Sequence, residues 1–237
     1  MLKRIIAGIL RKCGYQISKT HTLEYKIRER EYKWLQDFGI KTVIDVGANV
    51  GQFALMIHKI INDAVIYSFE PISECYKELV NKEDQINNLK CFNLALGNET
   101  REGVINRSEF LPSSSILDME SLLKEVFPYT AKTNQEKINI TSLDKIRNEI
   151  DWARKILLKI DVQGYELEVL EGAINSLNSI DLIIVETTFL KLYKSQPLFE
   201  DVYDFLYSRS FRYRGNFDQI INPNTGRILQ ADAIFVK

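Results

Sequence analysis

Short apolar runs rich in β-branched residues recur along this chain, and helical patterns separate most of them. That alternation constrains the fold more than any other feature. The runs are Thr42–Val46, Val65–Phe69, Lys90–Leu94, Ile156–Ile160, Leu182–Val185, Phe211–Asn216 and Ala233–Val236. The helical patterns are Gln52–Ile61, Ser73–Asn81, Tyr165–Leu177 and Phe199–Ser208. Alternating β and α units imply an α/β fold with a doubly wound, mostly parallel sheet and helices on both faces. Several runs are apolar throughout, as a sheet buried on both sides requires.

The chain has 237 residues, which suits one large α/β domain. Residues 40–237 carry the alternation, and residues 1–39 read as a helical extension. The alternation breaks over about residues 98–140, an insertion in which Gly103–Arg107 and Lys137–Thr141 read as extra strands. The polar stretch Ser108–Thr133, with Pro112 and Pro128, is too long for a simple connection and reads as a functional insertion or lid. In the extension, Leu2, Ile5, Ile6, Ile9, Leu10 and Cys13 recur at helical spacing among Lys3, Arg4, Arg11 and Lys12. Such a basic amphipathic helix docks on an anionic membrane surface or packs its stripe on protein, either its own domain or a second copy; packing is the commoner use. Gly14 stops it, and a second helix is expected over Leu23–Phe38, ending at Gly39.

Charge and cysteine content narrow the function. With 31 basic and 32 acidic residues the net charge is -1, without the basic excess of a nucleic-acid partner. Three scattered cysteines, Cys13, Cys75 and Cys91, and two histidines, His21 and His58, lack metal-ligand spacing, so no zinc is expected; two carboxylates, Asp161 and Glu186, could hold a hard divalent cation through oxygens but do not by themselves establish a metal site. No apolar run spans a bilayer and no continuous signal-peptide core is present, so the expectation is a cytoplasmic protein with free thiols.

In an open α/β sheet, ligands bind at the carboxyl ends of the strands, where strand order reverses. Two segments place unusual residues there. The first, Val43–Gly51, reads strand, glycine loop, helix start, and the next strand ends in Phe69-Glu70-Pro71. Glu70 is placed to accept two hydrogen bonds from a ribose diol. The glycines Gly47 and Gly51 do not make the G-x-G-x-x-G spacing of a dinucleotide site, and no P-loop Lys-Ser or Lys-Thr follows. Asp45 suits a cationic amino group better than a pyrophosphate. S-adenosylmethionine offers an ammonium, a sulfonium and a ribose diol.

The second segment is Leu157–Glu166. Lys159 and Asp161 share a face of an otherwise apolar strand, where a charge is costly unless paired. They read as a functional pair or a structural ion pair. Glu166 falls in the first turn of the following helix, where dipole stabilisation is an equal alternative to a role in chemistry. Glu186 ends the next strand much as Asp161 ends its own. Asp161 and Glu186 can flank an acceptor hydroxyl, one serving as general base. Tyr165 or Tyr193 is a candidate for stacking on the acceptor.

At these residues the chain resembles the FkbM family of methyltransferases. The matching pieces are Ile44–Gln52, Phe69-Glu70-Pro71, Asn93–Gly97, Thr141-Ser142-Leu143-Asp144, Leu158–Glu166 and Val169–Ala173, in order across about Val43 to Glu186. The resemblance implies a Rossmann-like, seven-stranded class I sheet that binds S-adenosylmethionine and serves O-methylation of sugars, polysaccharide precursors or secondary metabolites. It implies that Asp45, Gly47, Asn49 and Gly51 surround the methionine moiety, that Glu70 takes the ribose, and that Ala95 and Leu96 lie near the adenine. Asp161 would face the transferring methyl group, and Ser113, Ser114 and Ser115 would form a loop closing over the substrate. The partner is then a small-molecule or glycan acceptor. Three rivals stand beside this reading: an NAD-dependent oxidoreductase, disfavoured by the glycine spacing; a catalytically inactive scaffold, disfavoured by the intact acids; and DNA or RNA methylation, disfavoured by the near-neutral charge and the absence of an Asn-Pro-Pro-Tyr-type segment.

Overall fold

A computed structural model describes residues 32–152 and 155–237. The basic helix expected over Met1–Lys19 and most of the helix expected over Leu23–Phe38 lie outside the described residues. A 3-10 turn over Lys33–Phe38 precedes Gly39, which takes the left-handed conformation (φ 67°) that a helix-terminating glycine adopts without a Cβ penalty.

Five strands begin the main sheet: β1 (Thr42–Val46), β2 (Val65–Phe69), β3 (Leu89–Phe92), β7 (Ile156–Ile160) and β8 (Leu182–Thr188), all parallel. β9 (Arg212–Ile221) and β10 (Ile228–Val236) complete it in the order β3-β2-β1-β7-β8-β10-β9. β10 is antiparallel to both β8 and β9, so it alone runs against the other six. Strand order reverses between β1 and β7, and their carboxyl ends open the crevice where such sheets bind ligands.

Period-2 alternation splits the core into two layers. Ile44, Val46, Leu158, Ile160 and Val185 face α4 (Glu166–Glu171) and α5 (Phe199–Tyr207). Val43, Leu157, Ile184 and Ile234 face α1 (Gln52–Ile60), with Ala54 and Ile57 fully buried. α2 (Ser73–Val80) adds Leu79 to that second layer.

The insertion builds a separate three-stranded sheet, with β6 (Thr133–Thr141) between β4 (Ala95–Leu96) and β5 (Arg101–Ser108). Between β5 and β6 lies α3 (Ser121–Val126). The helix expected over Tyr165–Leu177 is shorter than its pattern. α4 ends at Gly172, where a Cβ would sit 1.8 Å from the Gly97 carbonyl oxygen, and the chain resumes as a 3-10 turn at Ser176–Ser179. Asp144 holds that break open by accepting the N–H groups of Asn175 (2.9 Å) and Ser176 (2.7 Å). The last strand is longer than expected, because polar Gln230 and Asp232 belong to it as well as the apolar run from Ala233.

Candidate active site

A cavity of about 790 Å³ opens at the carboxyl ends of β1, β2 and β7. Its walls come from the β1 loop, from Glu70 and Ile72 after β2, from Ala95 and Leu96, and from Lys159, Asp161 and Gln163. Asp232 reaches it because β10 runs antiparallel, which brings its early residues to the carboxyl end of β8; Asp232 is in register with Glu186.

The β1 loop is held by its own amides. Gly47 N–H and Ala48 N–H both donate to the Phe69 carbonyl at 3.0 Å, and Gly51 N–H donates to the Ala48 carbonyl at 2.9 Å. Asn49, in the left-handed region at φ 50°, donates its N–H to Glu70 Oε2 at 2.8 Å. These amides are therefore not offered to a pyrophosphate, which a dinucleotide or P-loop site would cradle with free N–H groups. Gly47 cannot be replaced freely: at φ 79°, a Cβ would lie 1.9 Å from the Asp161 carbonyl oxygen.

Glu70 also accepts the Ile72 N–H at 2.8 Å through Oε1. Each carboxyl oxygen keeps a second lone pair, and the residue lines the cavity. Burial pushes the Glu70 carboxyl up to about 7 against the lowering effect of those two backbone donors. The set suits a neutral diol, with an apolar wall at Ala95 and Leu96.

The other half of the site is built from side chains. Lys159 Nζ donates to Asp161 Oδ2 at 3.1 Å and lies 3.9 Å from Asp45 Oδ1. Burial alone would lower the Lys159 ammonium, but Asp161, Asp45 and Asp232 outweigh it and hold the group above its usual range. Gln163 Nε2 donates to Asp161 Oδ1 (2.9 Å) and to Glu186 Oε2 (2.7 Å), and Gln230 Nε2 donates to the same Glu186 oxygen (2.9 Å). Burial, reinforced by Asp161, Glu166 and Asp232, raises the Glu186 carboxyl well above the ordinary glutamate value.

Several expected site residues sit elsewhere than expected. Asp45 is fully buried and off the cavity wall; it receives the Ser68 hydroxyl at 3.3 Å, and burial pushes its carboxyl up to about 6. Glu186 is likewise behind the wall. Glu166 turns inward from it, with Oε1 accepting the N–H groups of Val162 (3.3 Å) and Gly164 (2.9 Å). Tyr193 has no exposed face for stacking; its hydroxyl lies 3.0 Å from Gln163 Oε1 and 3.1 Å from the Ser113 carbonyl. Of the three serines, only Ser114 lines the cavity; its Oγ accepts the Ser108 N–H at 3.0 Å, while Ser115 Oγ donates to the Gln163 carbonyl at 2.6 Å. Tyr165 lines the cavity on the Ala95–Leu96 side, 3.0 Å from where a Gly97 Cβ would be. Gly47, Asn49, Gly51, Glu70, Ala95, Leu96, Lys159 and Asp161 all come together on the cavity wall.

Sequence reasoning missed Gln163, Gln230 and Asp232. A signal existed for the last two: they alternate with Leu229, Ala231 and Ala233, the pattern of a strand with one polar edge.

The chain is similar to known methyltransferases. The profile of the methyltransferase FkbM domain matches residues 45–214. The hexuronic acid methyltransferase AglP of Haloferax volcanii is 28% identical over 142 residues, 60% of this chain and 54% of that protein. Methyltransferase sdnD of Sordaria araneosa is 26% identical over 153 residues, 55% of this chain and 59% of that protein. The matched stretches thus span little more than half the length of these curated relatives. Among solved structures, a magnesium protoporphyrin IX methyltransferase from Synechocystis PCC 6803 with bound SAM aligns over 99% of this chain and 97% of its own, at 11% identity and a TM-score of 0.48.

Proposed function

We propose that this chain, which belongs to the FkbM family of methyltransferases and takes S-adenosylmethionine as cofactor, methylates a hydroxyl oxygen of a sugar or other small polyhydroxylated acceptor. The observation that carries this reading is the Asp161 carboxylate. It is 35% exposed, lines the cavity, and is clamped on one oxygen by Lys159 and on the other by Gln163.

The residues divide the work. Glu70 holds the ribose diol through its remaining lone pairs, and Ala95, Leu96 and Tyr165 pack the adenine. Gly47, Asn49 and Gly51 shape the loop around the methionine portion. When bound, S-adenosylmethionine supplies a methyl group on an electron-poor sulfonium carbon. Asp161 orients the acceptor hydroxyl and receives its proton as the oxygen attacks. Alignment of the two reactants supplies much of the acceleration, and the proton acceptor contributes typically 10²- to 10⁴-fold. Lys159 fixes one Asp161 oxygen by its hydrogen bond and offsets the buried charge of Asp45.

A carboxylate acceptor, as the name of the AglP relative invites, fits less well. It needs no proton acceptor, which would leave the cavity-facing Asp161 carboxyl without a part in the reaction.

Calorimetric titration of S-adenosylmethionine and S-adenosylhomocysteine into wild type and Glu70→Ala tests the cofactor half. Loss of a charge-assisted diol contact predicts roughly 10- to 100-fold weaker binding. A panel of neutral glycosides and uronates then tests the acceptor half. Methylation of a uronate carboxyl, with neutral glycosides inert, would overturn the hydroxyl reading.

A further inference from the structure

We infer that Gln163 is the positioning residue of this site, fixing the Asp161 carboxylate and tying it to the insertion between β5 and β6. The inference rests on the reading of Asp161 as proton acceptor.

The geometry of Gln163 is unusual on two counts. Its backbone is left-handed, at φ 55°, a conformation that is strained for non-glycine residues and that concentrates at functional sites. Its side-chain amide is also saturated by partners of opposite kinds. Nε2 gives one hydrogen to Asp161 Oδ1 at 2.9 Å and the other to Glu186 Oε2 at 2.7 Å. Oε1 faces the Tyr193 hydroxyl at 3.0 Å. In this orientation both amide hydrogens find carboxyl oxygens and the amide oxygen faces a hydroxyl; turned over, the amide oxygen would face Asp161 Oδ1 and Glu186 Oε2 instead. The backbone carbonyl of the same residue accepts the Ser115 hydroxyl at 2.6 Å.

Gln163 therefore joins three things at one point. Asp161 is on the cavity wall. Glu186 is behind it, anchored from the far side by Gln230. Ser113 and Ser115 belong to the insertion, and Tyr193 reaches the Ser113 carbonyl at 3.1 Å. Glutamate has the same shape but no hydrogens to give. At this position it would set a third carboxylate against Asp161 and Glu186 unless it kept a proton.

The groups facing Asp161 and Gln163 are Lys159 from β7, Asp45 from β1, Glu166 from α4, Glu186 from β8, Tyr193 from the loop after it, and Asp232 and Gln230 from β10. All are unchanged in the variants below.

The test reads the Asp161 carboxyl directly, with neither cofactor nor acceptor present. Protein labelled with carbon-13 at aspartate side-chain carboxyls is examined by NMR at one fixed pH, and Asp161→Asn assigns the resonance. Gln163→Gly removes the amide while giving the left-handed position to the residue that adopts it most readily. Without the amide donor the Asp161 carboxyl loses one of its two fixed partners, so its resonance moves and broadens. An unchanged Asp161 resonance in folded Gln163→Gly overturns the inference. Once an acceptor is in hand, Gln163→Gly lowers kcat roughly 10- to 100-fold with cofactor KM unchanged. Gln163→Glu loses as much at alkaline pH and recovers part of its rate as pH falls and the new carboxyl protonates. Equal loss at every pH would overturn the donor role. A wild type that methylates nothing removes the proposed reaction, while the Asp161 carboxyl resonance still decides Gln163.

Discussion

The two loops that meet at the switch point, one after β1 and one after β7, are built alike and used differently. Each carries a non-glycine residue in the left-handed region, Asn49 (φ 50°) and Gln163 (φ 55°), and each has a positive-φ glycine soon after, Gly51 and Gly164. Each is stapled by a glutamate that accepts backbone N–H groups: Glu70 takes Asn49 and Ile72, and Glu166 takes Val162 and Gly164. Glu70 comes from the next strand and faces the cavity, so it can serve loop and ligand together. Glu166 comes from the loop's own helix and faces inward, so its oxygens serve the loop alone. A carboxylate at a strand end becomes a ligand group only if the element carrying it turns it outward.

The sharpest way to break this comparison is at Lys159, the cation shared by both loops' strands. It stands between Asp45 on β1 and Asp161 after β7, in register with Asp45. Lys159→Met leaves Asp45 buried with no opposite charge beside it. Removing one partner of a buried pair costs about 3–5 kcal/mol. Urea unfolding should show that loss; a change under about 1 kcal/mol would mean that Asp45 simply takes up a proton and that the two loops do not share a charge network.

Much of the β1 half is legible in the sequence, because its determinants are local. Gly47 and Gly51 announce the turn, and Glu70 closes the adjacent strand. The β7 half is less legible. Lys159 and Asp161 stand out as charges in an apolar strand, but their partners arrive from far away in the chain. Asp232 and Gln230 reach the site only because β10 runs antiparallel, a fact set by the β9–β10 hairpin. Gln163 and Tyr193 carry no charge at neutral pH and so give no sequence signal of a buried network. The overlong helix expected over Tyr165–Leu177 fails for a similar reason: Gly172 fits the apolar period, and its need to pass the Gly97 carbonyl is a tertiary matter.

A smaller effect sharpens the same contrast within the β1 loop. Gly47→Ala must push against the Asp161 backbone oxygen at 1.9 Å, which belongs to the neighbouring strand end and cannot swing away. Gly51→Ala meets Leu79 Cδ1 at 2.9 Å and Lys82 Cγ at 3.3 Å, both on flexible side chains, although its φ of 84° is strained. The expected losses are about 3 kcal/mol for Gly47→Ala, strain plus overpacking, and about 1–2 kcal/mol for Gly51→Ala, strain alone. Thermal unfolding of the pair measures the difference. Equal losses would mean that the two loops do not press on one another.

The smallest effect lies in pH. Burial pushes the Glu166 carboxyl up to about 7, above its usual 4.5, despite the backbone donors that pull the other way. The folded protein then keeps a proton that the unfolded chain has lost between those two values. Where the native state binds more protons, stability falls as pH rises. Glu166 thus adds stability at acid pH that fades through about pH 7. Asp45 and Glu70, raised to about 6 and about 7, act in the same direction, whereas Asp144, lowered by its donors at Asn175 and Ser176, acts in the opposite one. Glu166→Gln keeps an acceptor oxygen for Val162 and Gly164 but cannot titrate. The stability difference between pH 5.5 and pH 8 should shrink in this variant by about 1 kcal/mol relative to wild type. The same substitution made at Glu70 should also weaken S-adenosylhomocysteine binding, while Glu166→Gln leaves it intact. If Glu166→Gln weakens binding as much as Glu70→Gln, the inward-facing carboxylate is a ligand group after all and the contrast between the two loops disappears.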